Sequence, residues 1–177
     1  GNGVVVGVVD TGIDYNHPDL NANYRFDLDY DARSGDSDSY ASASDDNHGT
    51  TVAGVIGAAI GGGSTVGIAP GADITGFRIG FGSGGSGQTD TQMQNMATVD
   101  VANNSWGYNG FFTDNFLYSS FAASANAIEN AVATGRGGLG TIITFSSGNS
   151  RQEGDNVNYH SFGSSQHTIA VGAIDIT

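Results

Sequence analysis

Two short segments hold the side chains that could do chemistry. Asp10 closes the apolar run Val4-Val5-Val6-Gly7-Val8-Val9 and is followed by Thr11-Gly12. His48 opens the run His48-Gly49-Thr50-Thr51-Val52-Ala53-Gly54. A carboxylate that orients an imidazole supplies two of the three parts of a nucleophilic-catalysis triad. The acid fixes the tautomer of the ring, and the ring takes a proton from a nucleophile. Small residues follow both side chains and let a second backbone pass nearby. The nucleophile itself has to be sought elsewhere.

The surrounding pattern indicates what would position these groups. Residues 3–9 read as a strand, which places Asp10 at its C-terminal end, where open α/β sheets bind ligands. Thr51 to Ile60 has helical character, so His48 would be carried by a packed helix. An Asp-rich segment at 14–46 lies between the two. Beyond the turn Gly61-Gly62-Gly63-Ser64, residues 72–79 read as a strand and Gly80 to Gly87 as a glycine loop. A helix is predicted at 89–97 and a strand at 99–104. Apolar residues at Leu117, Phe121, Ala125, Ile128 and Val132 predict an amphipathic helix over 115–134. Thr141–Phe145 and Thr168–Val171 are buried-strand candidates. Strand and helix alternate throughout, which predicts an α/β fold: a three-layer sandwich with a mainly parallel sheet in one domain, 1–177.

Composition narrows the class. A length of 177 residues with 38% hydrophobic residues suits one domain with a sizeable core. No apolar run approaches the roughly 20 residues of a membrane span. The net charge is −13, and all five basic residues are arginines (Arg25, Arg33, Arg78, Arg136, Arg151), which argues against a nucleic-acid partner. Cysteine is absent, so disulfides and thiolate metal sites are excluded. Only Glu129 and Glu153 are glutamates, so 16 of the 18 acidic residues are aspartates. Ten of those lie within the first 46 positions. Short aspartates in loops are good oxygen ligands for calcium; a solvated acidic surface is the alternative.

Four blocks, in order, give the chain a resemblance to the subtilisin-like serine proteases (subtilases). Val8-Val9-Asp10-Thr11-Gly12-Ile13-Asp14, with Asn16-His17-Pro18-Asp19-Leu20, is similar to the segment around that family's catalytic Asp. His48-Gly49-Thr50 with Val52-Ala53-Gly54 resembles its catalytic-His helix, followed by Gly67-Ile68-Ala69-Pro70. Asp100 to Gly107 resembles the strand that walls the specificity pocket. Ser147-Gly148-Asn149 resembles the oxyanion segment, with Thr168 to Ala173 beyond it. The resemblance implies a serine endopeptidase acting on peptides or proteins, secreted or at the cell surface. Asp10 would orient His48, His48 would act as general base, and Asn149 would donate to the oxyanion. Substrate would be bound by Gly85, Ser86 and Gly87 as an added β-strand, by Ser105, Trp106 and Gly107 opposite, and by Ser147 and Gly148.

Departures from the family pattern set further expectations. Thr51 stands where the family usually has a second, non-triad His. Ser105-Trp106-Gly107, with Asp45 and Asp46 ahead of His48, leans toward the kexin or proprotein-convertase branch. No acidic pair accompanies Ser105 to Gly110, so specificity for basic residues is not expected. His17, His160 and His167 are read as structural. No Gly-Thr-Ser nucleophile block occurs, so the domain is expected to be incomplete at both ends. The rest of the peptidase domain would then supply the serine, and this chain alone would be inactive. The competing class is a non-catalytic, calcium-stabilised binding domain with the same fold. A Rossmann-type nucleotide site is disfavoured, because Asp10-Thr11-Gly12 stands where a G-x-G-x-x-G turn would be. The convertase resemblance also implies a structural Ca2+ ion held by Asp19 and, in less certain register, Asp27, Asp29, Asp36 and Asp38. Aspartates alternating without basic partners repel one another, and a divalent cation would relieve that repulsion.

Overall fold

The computed structural model describes residues 1–44, 46–82 and 85–174; Asp45 lies outside them. Six strands form one sheet: β1 (Val5–Asp10), β2 (Tyr30–Asp31), β3 (Asp73–Arg78), β4 (Val101–Asn104), β5 (Ile142–Ser146) and β6 (Ile169–Val171). Their order is β2-β3-β1-β4-β5-β6, and every strand pair is parallel. β1 therefore lies between β3 and β4, where the chain changes direction across the sheet. In open α/β folds this switch point opens the ligand crevice at the strands' C-terminal ends.

Alternation along the buried strands sends neighbouring residues to opposite faces. Val6 and Val8 join Ala53, Ile74 and Leu20 in a core beneath α1 (Asn47–Gly57). Val9, Phe77, Ile143 and Phe145 join Met93, Ile128 and Ala131 in a core on the other face. That second core lies beneath α2 (Gly85–Asn95) and α3 (Ala122–Gly138). The layering is the expected α/β sandwich.

Several boundaries differ from the sequence reading. α1 ends at Gly57 rather than running to Ile60, because Ala58 turns to ψ 124° and Ala59 N–H donates to the Asp19 carbonyl (2.7 Å). α3 begins at Ala122, not at 115. The Asn115 side chain accepts from Leu117 N–H (2.9 Å), a local bond that competes with helix, and Leu117 is exposed. Helical geometry in α3 is lost at Gly135, Arg136 and Gly137. β6 was expected to be buried, yet Ile169 and Val171 are exposed, because it is the sheet's edge strand. α2 begins at Gly85, inside the expected glycine loop, and gives way to a 3-10 turn at Met96–Thr98.

Candidate active site

Asp10 is the last residue of β1 and is fully buried. Its Oδ1 accepts a hydrogen bond from Thr11 N–H (2.8 Å) and lies 2.8 Å from His48 Nδ1; Oδ2 lies 2.9 Å from the same nitrogen. The two residues are 38 apart in sequence, and α1 is seated on the end of β1 by two local hydrogen bonds. Gly49 N–H donates to Thr11 Oγ1 (3.1 Å), and Asp14 N–H donates to Thr50 Oγ1 (2.8 Å). A Cβ at position 49 would collide with the Gly12 carbonyl oxygen, so only glycine permits this approach.

This geometry assigns the proton on the imidazole. A carboxylate facing Nδ1 accepts its N–H, which leaves Nε2 of the neutral ring as a lone-pair base. The His48 side chain is half exposed, so that base faces the solvent side of the pair. Burial pushes the Asp10 carboxyl above the ordinary carboxylate range, and the hydrogen bonds from His48 and Thr11 act in the opposite direction.

His48 and Asn149 line the same two cavities, of about 330 and 600 Å³, with Ser105, Trp106 and Gly107 between them. Asn149 follows the end of β5. Gly148 before it has φ +86°, a left-handed conformation that turns the chain so that Asn149 is exposed at the cavity mouth. Ser147 N–H continues the β5–β6 ladder by donating to the Val171 carbonyl (3.0 Å). Ser147 and Gly148 line the smaller cavity. Trp106 is buried and packs edge-on against Phe145 (5.3 Å), so the cavity wall is fixed from below.

Gly85, Ser86 and Gly87 require a correction. They form the first turn of α2, and helical backbone cannot offer a strand edge to a peptide. The Gln88 side chain helps to set this by accepting from Gly80 N–H (2.8 Å). Gly80, Phe81 and Gly82 line the larger cavity instead, with the Phe81 ring 5.9 Å from that of His48.

The smaller cavity also contains a cluster that the sequence reading passed over. His160 Nδ1 lies 2.9 Å from Asp114 Oδ1, and its Nε2 lies 3.0 Å from Asp155 Oδ1. A ring nitrogen facing a carboxylate on each side can donate from both only as the imidazolium, so this arrangement favours the charged form. Burial alone would disfavour that charge, but the bonds from Asp114 and Asp155 outweigh it and raise the His160 pKa. The cavity therefore has two acids, although neither lies within Ser105 to Gly110. The separations of 46 and 5 residues gave no motif to read.

The expected calcium ligands do not gather. Asp27 makes a bidentate ion pair with Arg25 (2.7 Å to each oxygen). Asp29 accepts from Tyr24 O–H (3.1 Å) and from Ser39, while burial pushes its carboxyl upward. Asp36 accepts from Asp38 N–H, and Asp38 accepts from Tyr15 O–H and Tyr40 N–H. The segment has basic partners after all: Arg25, Arg33 and Arg78 each reach an aspartate in it. Among the described residues no group of three or more His, Asp or Glu could hold a metal ion. Asp19 comes nearest to fitting. It is buried, its Oδ1 has no partner, and the turn at Gly62 and Gly63 runs directly over it.

The subtilase family profile matches residues 1–176. The chain belongs to the subtilase family. Among curated subtilase relatives, the dibasic-processing endoprotease of Schizosaccharomyces pombe is 35% identical over 179 residues, covering 99% of this chain and 24% of that protein. Kexin of Saccharomyces cerevisiae is 33% identical over 182 residues, covering 99% of this chain and 22% of kexin. Furin-1 of Xenopus laevis is 34% identical, covering 98% and 22%. The chain thus lies in the kexin-like branch and spans about a quarter of the length of these relatives. A cold-adapted subtilisin-like proteinase is 28% identical with a TM-score of 0.60, over 84% of this chain and 48% of that one. A serine protease of Aeromonas sobria gives a TM-score of 0.80 at 22% identity, over 96% of this chain and 32% of that one, a likeness of fold.

Proposed function

We propose that this chain is the part of a serine endopeptidase domain that supplies the acid, the base and one oxyanion donor. The observation that carries the reading is the 2.8 Å contact of Asp10 with His48 Nδ1, at the mouth of cavities shared with Asn149. Asp10 holds the ring with Nδ1 protonated, and Nε2 removes the proton from a serine hydroxyl as that oxygen attacks the scissile carbonyl. The Asn149 amide donates to the oxyanion that forms; such a donor is typically worth about 3 kcal/mol in the transition state. The serine is supplied by polypeptide outside these 177 residues, which also covers the exposed apolar side chains of Ile142, Ile169 and Val171 around β6. Peptides or proteins are the substrates, and the setting is the secretory pathway or cell surface. The described residues contain no helix long and apolar enough to cross a membrane.

A peptidyl chloromethyl ketone tests this reading without needing the serine. It should alkylate His48 in preference to His17, His160 and His167, and a competing peptide should slow the reaction. Equal modification of all four, or none at His48, would oppose the base assignment. Serine-directed fluorophosphonates should leave this chain unlabelled; stoichiometric labelling of one of its serines would show that the nucleophile lies within it.

A calcium ion remains part of the proposal only at Asp19, whose buried Oδ1 has no hydrogen-bond partner. The neighbouring 59–63 turn would complete an oxygen shell, and the ion would tie that turn to the residues following β1.

A further inference from the structure

Arg78 is the last residue of β3 and the register partner of Asp10. Its side chain is only 5% exposed, and its three nitrogens bind three different segments. Nε–H donates to the Thr11 carbonyl (3.1 Å), the peptide group directly after Asp10. Nη2–H donates to Asp46 Oδ2 (2.6 Å), at the cap position of α1 and two residues before His48. Nη1–H donates to Asp31 Oδ2 (2.5 Å) on β2. The planar guanidinium fixes these acceptors relative to one another, as a flexible ammonium would not.

The surroundings hold the guanidinium in turn. Gln92 Nε2–H donates to the Arg78 carbonyl (2.9 Å), and the Arg78 Cδ fills the space that a Cβ at Gly12 would need. Asp46 is anchored from its other side by Arg33 Nη1 (3.2 Å) and by Ala43 N–H (3.0 Å). Two arginines thus face two aspartates, and the buried network is neutral. Among the described residues none of these four side chains hydrogen-bonds to His48, and the three donor nitrogens of Arg78 are all engaged by other partners.

We propose that Arg78 is a positioning residue for the Asp10–His48 pair, resting on the general-base reading above. It grips the chain just after the acid and just before the base, so one rigid group sets the separation of the strand end from the helix start. The Gly49–Thr11 and Asp14–Thr50 contacts orient α1 locally. Arg78 adds the only link, among the described residues, that runs from β3 to both sides of the pair. Productive geometry in such constellations tolerates displacements of about 0.5 Å, so loss of this link should loosen the pair without unfolding the sheet.

The experiment is proton NMR of the 15N-labelled chain, which reads the hydrogen-bonded His48 Nδ1 proton as an exchange-protected low-field signal. The wild type should show it, and Arg33→Gln should keep it, since Arg78 still holds Asp46. The variant Arg78→Met/Asp31→Asn/Asp46→Asn, which removes the three most buried charges together and leaves the part-exposed Arg33 to solvent, should remain folded by circular dichroism yet lose the signal, or exchange it about 10-fold faster or more. Arg78→Lys should restore it only in part. An unchanged signal in the folded triple variant would overturn the proposal. Should that variant not fold, Asp46→Asn alone decides: an undiminished signal overturns the proposal, and a weakened one supports it. Absence of the signal in the wild type would instead refute the Asp10–His48 pair on which the proposal rests.

Discussion

The Asp10 carboxylate presents both oxygens to His48 Nδ1, at 2.8 and 2.9 Å, from a position with no solvent exposure of its own. Stability and function pull in opposite directions at such a residue. Burial raises the Asp10 pKa, so its ionisation is harder in the fold than in the unfolded chain. A raised group stabilises the fold below its unfolded value and loses that contribution as pH rises through its folded value. At neutral pH the charge is therefore a net burden. Asp10→Asn should melt higher than wild type at pH 7. The difference should shrink toward pH 4. Thermal melts at the two pH values decide, and a lower melting point for the variant at pH 7 would contradict the burial account.

Two glycines of α1 should respond in opposite directions. Gly54 has open space around its α-carbon in a helix interior, so Gly54→Ala should stabilise by about 0.5–1 kcal/mol. At Gly49 the same change drives a methyl group into the Gly12 carbonyl and against Asp10 Cβ (3.1 Å), and it should cost about 1–3 kcal/mol. Urea unfolding of the two variants measures both effects. Only the Gly49→Ala chain should also weaken the exchange protection of the His48 Nδ1 proton.

His160 gives the chain a pH dependence of the other sense. Its pKa is raised in the fold, so its stabilisation is complete below about pH 6.5, the unfolded value, and is lost as pH rises through the folded value. Melting temperature should therefore fall as pH rises above about 6.5. His160→Gln, which cannot carry the charge between Asp114 and Asp155, should flatten that slope. An unaltered slope in the variant would show that other groups carry it.

What could be read from the sequence was governed by periodicity and by local chemistry. The β1 valines, the His48 helix and the β/α alternation have regular signatures, and the structure reproduces them. A single side-chain bond at Asn115 stops a helix that the spacing of Leu117 and Phe121 alone would extend. β6 looked buried because its residues are apolar, but burial depends on what covers an edge strand. The arginine partners of Asp27, Asp31 and Asp46, and the Asp114–His160–Asp155 cluster, depend on contacts between distant segments that no local pattern encodes.

Calcium has one place left to act. If it binds at Asp19, melting curves should separate between millimolar calcium and excess chelator, with a concentration-dependent rise. Asp19→Asn should abolish the separation. Coincident curves for the wild type would remove calcium from the account, leaving the acidic segment as arginine-paired and solvated.

If this chain supplies a working acid–base pair and oxyanion donor to a serine endopeptidase, it should do so within a complete peptidase. A chimera can show this: residues 1–176 take the place of the matching segment of Saccharomyces cerevisiae kexin, and kexin supplies the remaining polypeptide. After circular dichroism has shown the chimera to be folded, hydrolysis of fluorogenic peptides is measured with and without His48→Ala. The account predicts peptide hydrolysis that falls about 10⁴-fold or more in the variant, the scale on which removal of a triad member lowers turnover. A folded chimera with no hydrolysis, or with hydrolysis indifferent to His48, would contradict it.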